Sequence, residues 1–130
     1  MNRYFQEVLD AHQLIVNWFA YPDTPPEVCD QLLTHFSPDY SMVTPSGNLL
    51  DYATLSSFFY SQGGAKLGLE INIEHMQLIQ EGPQGAVVSY QERQLSPGQP
   101  ATRRFSTVVF ELGADNQILW RHLHETLLAP

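Results

Sequence analysis

Three stretches in the last third of the chain collect residue types that can move protons. In Ala86 to Leu95 one alternating parity reads Ala86, Val88, Tyr90, Glu92, Gln94, and the other Val87, Ser89, Gln91, Arg93. Glu92 thus continues the apolar face opened by Ala86 and Val88. A carboxylate placed there has two readings. Desolvated, its pKa would rise and it could act as a general acid or base near neutral pH. Otherwise it closes a structural ion pair at a strand end. In Thr102 to Leu112, Arg103 and Arg104 are adjacent and must point to opposite faces. Arg104 shares its parity with Ser106, Val108 and Phe110. Arg103 shares its parity with Phe105, Thr107 and Val109, so the two compete closely. Arg104 is the expected inward cation, pairing with Glu92 or Glu125 because a buried arginine is costly unless paired. The alternative is two exposed cations.

The final stretch runs from Gln117 to Leu128. One parity is Ile118, Trp120, His122, His124, Thr126; the other is Leu119, Arg121, Leu123, Glu125, Leu127. The two histidines stand on one face, roughly 7 Å apart. Three readings stay open. They line a pocket as proton carriers, they bind a metal with Glu92, or they lie on the outer face in a subunit interface. His-x-His alone is a weak metal signature and no third ligand stands at a diagnostic spacing, so neither a metal nor a cofactor is expected. The expected catalytic set is Glu92, His124 and His122. Arg104, Tyr90, Trp120, Tyr40 and Trp18 are expected to contact substrate. If the Leu119, Leu123, Leu127 parity faces the core instead, Arg121 and Glu125 become the polar floor of the pocket. Cys29 has no histidine beside it and reads as a small buried hydrophobe rather than a nucleophile.

The elements that position these groups follow from hydrophobic period. Phe5, Val8, Leu9, His12, Ile15, Val16 and Phe19 step by three and four, which predicts a helix ending before Pro22. A second helix is expected with Thr24 as cap, Pro25 in the first turn and Glu27 completing a capping box. Its apolar set is Cys29, Leu32, Leu33 and Phe36, and Ser37-Pro38 is expected to break the chain. Asp39 to Val43 reads as extended, Pro45-Ser46-Gly47 as a turn and Asn48 to Leu50 as a short return strand. Asp51 can cap a third helix carrying Tyr52, Leu55, Phe58 and Phe59, stopped by Gly63-Gly64. From Leu69 the period becomes two, and the apolar parity flips near His75, as a bulge would produce. With the three stretches above, this makes four long antiparallel strands. Helices first and strands afterwards predict an α+β fold, with three helices packed on a strongly curved antiparallel sheet. Such a sheet, closed by the long helix, forms a cone with an internal pocket.

Composition bounds the rest. The chain has 130 residues, 43% of them apolar, which suits one core-forming domain over 1–130. Six Lys and Arg face fourteen Asp and Glu, for a net charge of −8. Nucleic acid and anionic membrane surfaces are therefore not expected partners. The imbalance is uneven: residues 1–92 hold eleven acids and two bases, residues 93–130 three acids and four bases. A single cysteine excludes an intramolecular disulfide framework. There is no apolar run of membrane-spanning length and no signal-peptide h-region, and the cytoplasm is the expected location.

The element order resembles the nuclear transport factor 2-like superfamily, in particular its SnoaL-like branch of small bacterial proteins. The most telling stretches are His35-Phe36-Ser37-Pro38-Asp39-Tyr40, Pro45-Ser46-Gly47, and the ending Trp120-Arg121-His122-Leu123-His124-Glu125-Thr126. The resemblance covers nearly the whole chain and implies the cone fold. It does not imply one reaction, since that fold hosts isomerases, dehydratases, epoxide hydrolases, cyclases and oligomerisation domains. The tyrosine-plus-two-acids set of the steroid-isomerase type and the Asp–Arg–Asp set of the epoxide-hydrolase type are not matched position by position. The expected function is binding of a small, mainly apolar or amphipathic molecule, with acid–base chemistry of the isomerase, cyclase or dehydratase kind. The alternative is a non-catalytic ligand-binding or dimerisation module. A homodimer formed through the sheet is expected.

Overall fold

The structure is a computed structural model that describes residues 2–129. It opens with α1 (Arg3–Phe19). Asn2 caps this helix, its side-chain oxygen accepting from the amides of Tyr4 and Phe5 at 2.8 and 3.3 Å. α2 (Pro26–Leu33) follows, but not with the expected cap. The helix begins one residue later than Thr24-Pro25 suggested, and the Thr24 hydroxyl instead donates to the carbonyls of Tyr21 and Asn17. Proline fixes the entry dihedral on its own, so no side-chain cap is required.

β1 (Phe36–Val43) absorbs two expectations at once. Phe36 belongs to this strand rather than to α2, and Ser37-Pro38 lies within the strand rather than ending an element. The strand survives because it bulges there: its pairing with the last strand jumps from Phe36↔Trp120 to Ser41↔His122. Proline is tolerated at such irregular positions because no ladder hydrogen bond is needed from it. β2 (Leu49–Asp51) returns antiparallel to β1, and Asp51 then caps α3 (Tyr52–Ser61) by accepting from the Thr54 amide at 2.8 Å.

Four long strands follow: β3 (Glu70–Gly82), β4 (Gly85–Leu95), β5 (Thr102–Leu112) and β6 (Ile118–Leu127). The parity flip in β3 is real. His75 adopts φ +56, and the register with β4 shifts between Glu74 and Gln77. The six strands form one sheet in the order β2-β1-β6-β5-β4-β3. All neighbours are antiparallel except β1 and β6, so the sheet is mixed. It is curved and unclosed, and the fold is the α+β cone expected from element order. Helix α1 lies against its inner face: Tyr4 stacks on Phe110 at 5.6 Å, and Val8 and Ala11 are fully buried with Val88, Val108 and Trp120. No helix is long and apolar enough to cross a membrane.

Candidate functional site

An apolar chamber of about 350 Å³ lies between α1, α3 and the inner face of the sheet. Ala11 and Ile15 of α1, Phe36, Tyr40 and Met42 of β1, Leu55, Phe58 and Phe59 of α3, and Trp120 and Leu123 of β6 line it. Three of its lining residues carry an imidazole or a carboxyl group: His12, Glu92 and Glu125. Thr54 and Phe58 reach both the chamber and solvent, which puts the mouth beside α3.

Glu92 is buried on the inner face of β4, as its parity required. Its partner is not on β6. His12 reaches across from α1, and its Nε2 lies 3.0 Å from Glu92 Oε1. The other ring nitrogen, Nδ1, lies 2.7 Å from the Val8 carbonyl. A carbonyl can only accept, so Nδ1 carries a proton. The Nε2···Oε1 contact then shares one further proton, as imidazolium–carboxylate or as imidazole–carboxylic acid. Burial alone would push Glu92 up, but the charge and hydrogen bond of His12, the amide of Gln94 (Nε2 to Oε2, 2.6 Å) and the Arg104 charge outweigh it and bring the carboxyl down to about 2. Burial lowers His12, yet Glu92 and the Val8 carbonyl raise it overall above its ordinary 6.5. Both directions select the charged pair.

A second carboxylate stands beside the first. Glu125 comes inward from β6, buried, and accepts from Arg104 Nη1 and from the Ser106 hydroxyl, each at 3.1 Å. Burial and the Glu92 charge raise its pKa against the pull of Arg104 and Ser106. Arg104 is thus the inward cation, and it stands opposite Glu92 in register, but its hydrogen bond goes to Glu125. Tyr40 lines the chamber near Glu125, and burial with that charge keeps its hydroxyl protonated. Tyr90 is buried on the Glu92 face with no hydrogen-bond partner for its hydroxyl among the described residues. It packs edge-on to His12 at 5.5 Å and does not line the chamber.

The remaining expected site residues fall in different places. Trp120 lines the chamber and donates from Nε1 to Glu7 Oε2 at 3.0 Å. Trp18 does not reach the chamber. It is a core residue, its Nε1 donating to the Phe59 carbonyl at 2.6 Å and its ring packed flat enough on Gly63 that a Cβ there would sit 2.8 Å away. His122 and His124 are corrected outright: they point to the outer face, away from Glu92. His122 Nδ1 pairs with the Ser41 hydroxyl at 2.7 Å, and His124 is exposed. The cause is a bulge at Arg121. β5 pairs Phe110 with Trp120 but Val109 with His122, so the inner parity passes from Trp120 to Leu123 and Glu125. The metal reading through Glu92 fails for the same reason, and no cluster of three metal-ligating side chains occurs among the described residues. The Arg121 and Glu125 alternative is half met: Glu125 faces in, while Arg121 donates to the Asp39 carbonyl at 2.6 Å on the surface.

His12 was missed as a site residue although it stands in the apolar stripe of α1. That was the available signal: a polar ring among core positions must find a buried partner.

No protein-family model matches the sequence, and no curated protein matches it significantly. Solved structures do. An NTF2-like protein of unknown function from Pseudomonas aeruginosa superposes with a TM-score of 0.90 at 37% identity, over 97% of this chain and 98% of that one. A proposed scytalone dehydratase from Novosphingobium aromaticivorans gives 0.72 at 10% identity, over 97% and 82% of the two chains. The CaMKII hub of S. rosetta gives 0.65 at 16% identity, over 95% of each. At those lower identities the likeness is one of fold.

Proposed function

The chain belongs to the nuclear transport factor 2-like family, and on that footing we propose that it binds a small, uncharged, mainly apolar molecule in the chamber and acts on it by proton transfer. The observation that carries this reading is the buried His12–Glu92 pair opening onto an otherwise apolar cavity. Burying two ionisable groups is costly and a hydrophobic replacement of equal volume would be at least as stable, so the pair makes sense as chemistry. Both ion pairs are internally neutral, so a charged ligand would find no counter-charge, whereas a carbonyl or hydroxyl would find the Tyr40 hydroxyl and the carboxylates. The reaction class that suits these groups is isomerisation, cyclisation or dehydration, each of which moves a proton without a cofactor. The SnoaL-like branch and a single domain over residues 1–130 fit the Trp120 to Thr126 ending and the unbroken sheet.

The second reading concerns the outer face. Across β4, β5 and β6 three registered rows read Val87–Val109–His122, Ser89–Thr107–His124 and Gln91–Phe105–Thr126. These nine residues include no carboxylate, lysine or arginine, in a chain of net charge −8. Depletion of charge is what distinguishes the centre of an interface, and it supports a homodimer through the sheet.

Binding of 2-naphthol followed by fluorescence tests the chamber. Saturable binding is expected in the wild type. Thr54→Trp should block the mouth and abolish it, Glu92→Gln should weaken it about tenfold, and His124→Ala should leave it unchanged. Binding that survives Thr54→Trp, or that His124→Ala weakens as much as Glu92→Gln does, defeats the reading.

A further inference from the structure

A second depression of about 540 Å³ lies behind the polar wall of the chamber. It runs between the α3–β3 connection and the β4–β5 turn. Both walls are held in place by backbone hydrogen bonds. The amides of Lys66 and Gly68 donate to the carbonyls of Phe19 and Ala20 at 2.9 and 3.1 Å, and that of Gln99 donates to Ser96 at 3.1 Å. The walls also touch. Gly68 has φ +77, and a Cβ there would stand 2.7 Å from Pro97 Cγ, so glycine is what lets the proline ring seat against the opposite loop. The floor is made by Gln94, Thr102 and Arg104.

The lining has an unusual charge. Lys66 is the one lysine of the chain, and with Arg104 it brings two of the six cations to this cleft, whereas none of the fourteen carboxylates lines it. Lys66 has no ion-pair partner among the described residues. Glu125 offsets Arg104. The surplus is therefore one positive charge, surrounded by the neutral donors Ser96, Gln99 and Thr102.

We propose that this cleft is a second binding site, for a small monoanion of the carboxylate class. A single uncompensated cation beside amide and hydroxyl donors suits one negative charge better than a phosphate dianion. The site also abuts the chamber. Gln94 donates to Glu92, and Arg104 donates to Glu125, so the same two side chains form the cleft floor and hold both chamber carboxylates. A carboxylate seated in the cleft places its charge on the far side of those two residues. The site does not depend on what the chamber binds.

The test is a titration of uniformly labelled protein with acetate and, separately, acetamide at constant chloride, read by backbone amide shifts. Acetate should shift Lys66, Gly68 and Gln99 saturably, in roughly the millimolar range, and acetamide should not. Lys66→Gln, an exposed substitution, should weaken acetate about tenfold, and Lys66→Arg should restore it. Lys66→Gln should leave 2-naphthol binding at the wild-type level, which separates failure of this site from failure of the chamber. The proposal is overturned if acetamide shifts the same amides as acetate does, or if Lys66→Gln binds acetate as the wild type does.

Discussion

At His12 burial pulls the ring pKa down, and Glu92, helped by the Val8 carbonyl and the Glu125 charge, lifts it above its ordinary value. In Glu92→Gln the burial remains and the largest raising charge goes, so the ring should titrate lower than in the wild type. A titration of the ring protons by NMR reads this directly, and a His12 pKa unchanged in that variant would mean Glu92 is not its partner. The same shifts set the stability profile. His12 and His35 both have raised pKa values, His35 through its hydrogen bond to Glu7 at 2.6 Å. Their stabilisation is complete below the unfolded value of about 6.5 and is lost as pH rises through the folded values. Glu92 is lowered from 4.5 to about 2, so its contribution is present above 4.5 and lost as pH falls through about 2. Between those limits the raised Glu125 and the lowered His122 act as well, so the clear expectation is on the alkaline side: the urea midpoint should fall as pH rises above about 6.5, less steeply in His35→Asn. A midpoint that is flat from about pH 6 to about pH 9 contradicts both pairs.

At the scale of elements, two irregularities on neighbouring strands decide what faces the chamber. β6 carries one extra residue at Arg121 and β1 carries a longer excursion over Ser37 to Tyr40. They are tied together, because the Arg121 guanidinium donates to the Asp39 carbonyl. Arg121→Ala should cost about 1 kcal/mol, the net worth of a charged hydrogen bond near the surface. Urea unfolding measures it, and a change within noise would detach the guanidinium from the bulge. The β3–β4 turn is tighter. Gly85 has φ +152, and a Cβ would lie 2.0 Å from the Phe110 carbonyl oxygen. Gly85→Ala must push β5 away from β4, so a loss of about 3 kcal/mol or more is expected in the same measurement.

The two faces of the sheet differ in composition. The inner face carries Val88, Val108, Phe110 and Trp120 with the buried Glu92 and Glu125, and the outer face carries the charge-free rows around Thr107. If those rows are the dimer interface, Thr107→Glu puts two like charges near the centre of a two-fold contact. The variant should sediment as a monomer at concentrations where the wild type is a dimer, while 2-naphthol binding stays intact. A wild type that sediments as a monomer removes the interface altogether. The net charge of −8 limits non-specific association, and against it the cleft lined by Lys66 and Arg104 and by no carboxylate stands out.

Much of this architecture was legible in the residues themselves. A period of 3.6 or 2 records which side of its own element each residue occupies. Period alone did not separate Arg103 from Arg104, which each continue an apolar parity, but the helices, the long strands, the β3 flip at His75 and the inward face of Glu92 could be read locally. Which groups meet could not. His12 and Glu92 are 80 positions apart, and nothing in either stretch names the other. Trp120, His122 and His124 alternate cleanly in sequence, yet the bulge at Arg121 turns the first inward and the other two outward. A bulge is a property of two strands in register, set by what β1 and β5 present to β6, and no single strand encodes it. Facing is a local consequence of backbone period and burial; partnership is a consequence of closure, and only the folded chain supplies it.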